Sequence, residues 1–182
     1  LVTLAKTDVE IVTVRSGWGV TYGKTDADSQ IVVENGTLLQ AGNAFRMDAQ
    51  TDNDLNVITF IPAVGESTNL ALSLATGHST SLAELRAGAW VDAHHADVLA
   101  KNQNAWSNTA IAAGFGTKAA TDKDKEGSKD DDTGIGATAV LSFFQSDATA
   151  AVCGFVDVAQ DLTVKGESTT ETNISRSFAS VS

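Results

Sequence analysis

"GAWVDAHHADVLAKNQN", residues 88–104, can be read as a helix or as a strand, and the choice fixes the fold. Joined to the "STSLAELRA" before it, the stretch scores as an amphipathic helix. Ser81 and Glu84 form a capping box, and Leu82, Leu85, Ala89, Ala93, Ala96 and Ala100 fall near one face. Gly88 in mid-segment and the Trp90-Val91 pair oppose that reading, because glycine weakens a helix interior and β-branched and aromatic residues favour strands.

Self-similarity decides between the two. "GTLLQAGNAFRMDAQTDN" from Gly36 and "GFVDVAQDLTVKGESTT" from Gly154 follow the same plan as the Gly88 stretch: Gly, four residues, Ala, a polar or Gly pair, an alternating segment and a polar tail. The opening "LVTLAKTDVEIVTV" matches the tail of an earlier copy, with "LAKT" over "LAKN" at 99–102. Gly36 and Gly88 are 52 residues apart and Gly88 and Gly154 are 66 apart. The excess falls in "TKAATDKDKEGSKDDDT", 117–133, a polar loop insertion. Phe45, Met47 and Ala49, then Ala96, Val98 and Ala100, then Leu162, Val164 and Gly166 share one parity and predict a stacked interior column of strand side chains. "GWGVTYGK" from Gly17, "NLALSLAT" from Asn69 and "ATAVLSFF" from Ala137 predict a second family of strands upstream of each Gly.

A unit of roughly 50 residues is too small to bury its own apolar face, so copies must stack. The expected fold is all-β: a β-helix or β-solenoid of about three and a half degenerate repeats, one domain over 1–182 with the insertion at 117–133, each unit covering about two rungs. Solenoid ends leave unpaired strand edges, so the expected partners are neighbouring repeats or copies of the chain joined end to end.

The net charge of -11 argues against nucleic acid and anionic membranes as partners, since both require cationic surface. No run of 18 apolar residues predicts membrane insertion. The single Cys153 forms no internal disulfide and joins no zinc or redox spacing.

The run "GIGATAVLSFFQSDATAAVCGFVDVAQDLTVKGESTTETNISRSFAS" resembles the repeats of large filamentous-haemagglutinin-like adhesins of Gram-negative bacteria. "SDATAAV", "VAQDLTVKG" and "ESTTETN" follow the order of those repeats, as do "LQAGNAFRMDA" with "QTDND" and, more loosely, "VDAHHADVLA" with "KNQN". The charged insertion and the irregular spacing depart from the pattern. The resemblance implies a β-helical, non-enzymatic, extracellular or cell-surface protein. It would work as an adhesive or structural segment, with surface glycans or other surface proteins as partners. A self-assembling filament or sheath subunit and a β-helical carbohydrate-active enzyme are the alternatives.

Few residues suggest chemistry. His94 and His95, neighbours in an extended chain, point opposite ways and make a poor metal pair. Asp122, Asp124 and Glu126 before Gly127 copy the start of a calcium-binding EF-hand loop, but Thr133 stands where the bidentate Glu belongs and lysines intervene, so the expectation is weak calcium binding at most and no other cofactor. His78 near Ser79 and Ser81 has no third group to orient it. Asp26 with Asp28, and Asp52 with Asp54, share a face if extended, as acid/base pairs would, or else mark turns. Trp18, Trp90, Trp106 and Tyr22 are candidates for an aromatic carbohydrate strip or for core filling.

Overall fold

A computed structural model of the chain describes residues 1–64, 68–115 and 136–180. Those residues form eight strands and no helix: β1 (Val2–Val14), β2 (Trp18–Val33), β3 (Leu38–Val64), β4 (Asn69–Leu85), β5 (Trp90–Phe115), β6 (Gly136–Val152), β7 (Phe155–Val158) and β8 (Leu162–Ser180). The helix that "STSLAELRAGAWVDAHHADVLAKN" suggests alone is absent. Ser81 and Glu84 lie inside β4, and Gly88 sits in the turn before β5.

Successive strands alternate between two parallel sheets. Sheet A orders β1-β3-β5, with β7 and β8 both beside β5, and sheet B orders β2-β4-β6. Pairing steps follow the repeat. Trp18 lies beside Leu70 and Leu38 beside Trp90, 52 residues on in each case. Leu70 lies beside Ala137, a longer step that contains the 117–133 insertion. One unit thus supplies one strand to each sheet before meeting its successor, so it makes one rung and not the two expected from the length. The strands are simply long, up to 27 residues in β3.

The predicted interior column forms in register. Phe45, Met47 and Ala49 pair with Ala96, Val98 and Ala100, which pair with Leu162, Val164 and Gly166. The upstream segments also fall side by side in sheet B. Two alignments shift. Leu4 pairs with Gln50, itself beside Lys101, so "LAKT" sits two residues further along than "LAKN", on the same face. Trp90 pairs with Phe155, so Gly154 stands opposite Ala89 and not Gly88. The extra residue is taken up at the break between β7 and β8.

Tight turns carry the chain from sheet B to sheet A. Thr37 N–H donates to Glu34 O (3.3 Å) and Ala89 N–H to Arg86 O (3.1 Å), with Gly36 and Gly88 at φ of 78° and 81°. Only glycine takes that left-handed conformation without strain.

The space between the sheets is narrow. A Cβ on Gly19 would stand 2.6 Å from Ile61 Cδ1, and one on Gly23 2.2 Å from Val57 Cγ2. Glycine in β2 therefore makes room for branched side chains of β3, and Leu55, Val57 and Ile61 are fully buried.

Candidate functional site

Polar side chains also occupy the interior, and they are paired. Asn102, fully buried, donates from Nδ2 to Ser79 O (3.1 Å), Ser146 Oγ (3.0 Å) and Asp147 O (2.8 Å), while its Oδ1 accepts from Thr51 Oγ1 (2.8 Å). Asn53 accepts from Thr25 (2.7 Å) and donates to His78 O (2.9 Å). Asn108 accepts from Ser73 and donates to Leu141 O and Ser142. These amides cross from sheet A to sheet B and bridge neighbouring rungs, so they fix register where apolar packing alone would permit slippage. Among the described residues four buried polar atoms lack a partner: Thr21 Oγ1, Asp48 Oδ1, Asn104 Oδ1 and Trp106 Nε1.

The histidine pair lies at a shared irregularity. In β3 the register shifts between Ala41 and Ala44, opposite His94, and residues 159–161 break the strand at the same level. His94 is exposed, whereas His95 is half-buried, 3.1 Å from Asp97 and 4.0 Å from Asp161. Among the described residues no group of three or more His, Cys, Asp or Glu side chains could hold a metal ion. Asp122, Asp124 and Glu126 lie outside the described residues.

His78 is exposed while Ser79 and Ser81 are buried, so the three do not converge. His78 Nε2 instead meets Thr80 at 3.2 Å and Ser79 meets Thr51 at 2.5 Å. The paired aspartates lie within strands, so they do not mark turns. Asp26 and Asp28 project from sheet B, and Asp52 and Asp54 from sheet A with Asp8 beside Asp54. Lys6 pairs with Asp52 at 2.8 Å. Burial raises the Asp54 carboxyl above its ordinary value, and the charges of Asp52, Asp8 and Glu171 raise it further. A raised carboxyl beside a second carboxylate is an arrangement that acid/base chemistry can use, although the surface here is an open sheet face. Nearby, Leu4, Gln50, Lys101, Gln103, Glu167 and Thr169 line a shallow groove of about 300 Å³.

The four aromatics do not make one strip. Trp106 is buried and stacks on Phe144 at 4.7 Å. Trp90 projects from sheet A, 5.6 Å from Phe155. Trp18 and Tyr22 project from sheet B, 62% and 55% exposed. Around them the outer face is wholly apolar over three rows: Trp18–Leu70–Ala137, Val20–Leu72–Ala139 and Tyr22–Leu74–Leu141. The composition of these strands hides this block, because Leu, Ala and Val alternating with Ser, Thr and Gly look like inward-facing residues.

No protein-family model, curated protein or solved structure matches the chain. The arrangement comprises long parallel ladders, internal amide bridges and extended outer faces of acidic and apolar character.

Proposed function

We propose that the chain is a β-solenoid segment of a repetitive, extracellular bacterial surface protein of the adhesin type, acting as a stalk or adhesive fibre and not as an enzyme. The observation that supports this reading best is the parallel pairing of successive units, 52 residues apart at Trp18–Leu70 and at Leu38–Trp90, alternating between two sheets. Each coil then contacts only its neighbours, and length grows by adding units without redesigning the core. Ladders of backbone hydrogen bonds along the stack resist extension, and repeated acidic and polar faces make weak contacts with surface glycans or proteins that add by multivalency.

The test is adhesion and shape together. Beads coated with the purified chain should bind glycan-bearing cell surfaces above bare beads, and scattering should give a profile of constant cross-section. Equal binding by coated and bare beads would overturn the adhesive role. Turnover of an acidic polysaccharide that disappears in Asp52→Asn or Asp54→Asn would replace the reading with a carbohydrate-active enzyme.

A second reading, a self-assembling filament subunit, is favoured by one end of the stack. Leu162 and Val164 belong to the interior column, yet each is 44% exposed on β8, which among the described residues pairs with β5 alone. Such an edge accepts another strand in register. Fibres in negative stain, growing with concentration, would favour this reading over the stalk.

A further inference from the structure

The apolar block on sheet B reverses the usual sidedness of a sheet. At the same level the inner positions are small or polar, Gly19, Thr21, Gly23, Ala71 and Ser73, while the outer ones are Trp18, Val20, Tyr22, Leu70 and Leu141, each 45–62% exposed, with Phe143 at 64% beside them. A contiguous outward apolar surface is the mark of an interaction site.

Charge is segregated along the same strands. Before the block, the exposed Arg15 lies in the turn ahead of β2, its guanidinium 5.5 Å from the centre of the Trp18 ring. Beyond the block, the outer face carries Asp26, Asp28 and Asp147, of which Asp26 is held by Lys24 at 2.6 Å. Arg15 precedes Val20, the middle of the block, by five residues and Asp26 follows it by six, so the cation and the carboxylates flank the apolar rows on opposite sides.

We propose that this block is a self-association surface on which a second copy seats face to face, with the two β2 strands antiparallel across a twofold axis. In that arrangement the apolar rows cover each other and Arg15 of each copy lies over Asp26 of the other. The carboxylates at the far ends then oppose cationic turns and not each other. Any parallel arrangement would stack Asp26 and Asp28 on their like in the second copy, at a cost that the -11 net charge compounds. The block offers roughly 300 Å² per copy, from three strands about 4.8 Å apart and some 20 Å of strand. That is less than a standard interface, so one pair of blocks associates weakly and repeated blocks along a longer stack associate strongly.

Sedimentation velocity of the chain over a wide concentration range should show a reversible equilibrium that stops at the dimer. Tyr22→Lys combined with Leu141→Lys should abolish the dimer. Arg15→Glu should weaken it severalfold, and adding Asp26→Arg to Arg15→Glu should restore it. Far-UV circular dichroism and the urea midpoint, unchanged in all of these outward-facing variants, establish that folding is intact. A monomer at every concentration, or a dimer unaffected by the Tyr22 and Leu141 substitutions, would overturn the proposal. An open-ended polymer insensitive to them would place association at the strand edges, which overturns this surface and leaves the filament reading standing.

Discussion

At Gly23 in β2, the space a side chain would take is filled by Val57, Leu55 and Ile11. Gly23→Ala should therefore cost about 1–3 kcal/mol by overpacking, read as a lower urea midpoint, and combining it with Val57→Ala should recover part of the loss. Asn102 has the opposite character, a large polar group whose value lies in its four partners. Asn102→Ala strands the hydroxyl and carbonyls it serves and should cost about 2–3 kcal/mol, whereas a solvent-facing substitution such as Gln30→Ala should be nearly silent. Asp54 provides a pH-dependent test. Its carboxyl is raised in the folded chain, first by burial and then by Asp52, Asp8 and Glu171. The folded state therefore binds that proton more tightly than the unfolded state, and stability present in acid is lost as pH rises through the folded value. Asp54→Asn should stabilise by about 0.5 kcal/mol at neutral pH and give no gain in acid, which thermal melts at the two pH values would resolve.

The elements owe their ends to a few residues. Gly36 and Gly88 close corresponding turns with positive φ, so one rung's exit from sheet B lies over the next. Gly88→Ala would add backbone strain of about 1 kcal/mol. It would also push a Cβ to 2.1 Å from Asn35 Oδ1. The expected result is a larger drop in melting temperature than for Gly42→Ala, where nothing lies within 4 Å of the added atom. The strand nature of 88–104 was legible from Gly88, the Trp90-Val91 pair and, above all, the strand-like counterparts near Gly36 and Gly154. The polar pairs Gly42-Asn43, His94-His95 and Gln160-Asp161 read in the sequence as turns between two strands, but β3 and β5 run through that level, with a register shift between Ala41 and Ala44, and the chain breaks only between β7 and β8. The two-residue slip of "LAKT" was not legible, since parity is preserved and any even shift satisfies the same alternation.

Across the whole molecule, nearly every stabilising contact joins residues about 50 or more apart in sequence or crosses between sheets. Such topology folds slowly because loop closure precedes any gain from pairing. Refolding from urea should be markedly slower than for helical chains of similar length, and unfolding should lose β-sheet signal in step with Trp106 fluorescence if the rungs are cooperative. The outer faces carry the contrast between acidic and apolar surface that both proposals depend on, and that contrast arises only when rows from β2, β4 and β6 are brought side by side.

By itself the sequence determined the class of fold, the unit length and the inward column from Phe45 to Gly166, because a repeated period of two and a repeated glycine are local signals that survive without contacts. Tertiary structure decided how many rungs a unit makes, since strand length is set by where turns close and not by the repeat period. It also decided which side of sheet B faces water. Large apolar residues at Trp18, Leu70 and Leu141 imply an interior to any reader of the chain, but the space between the sheets is already taken by Ile61 and Val57, so those side chains were turned outward.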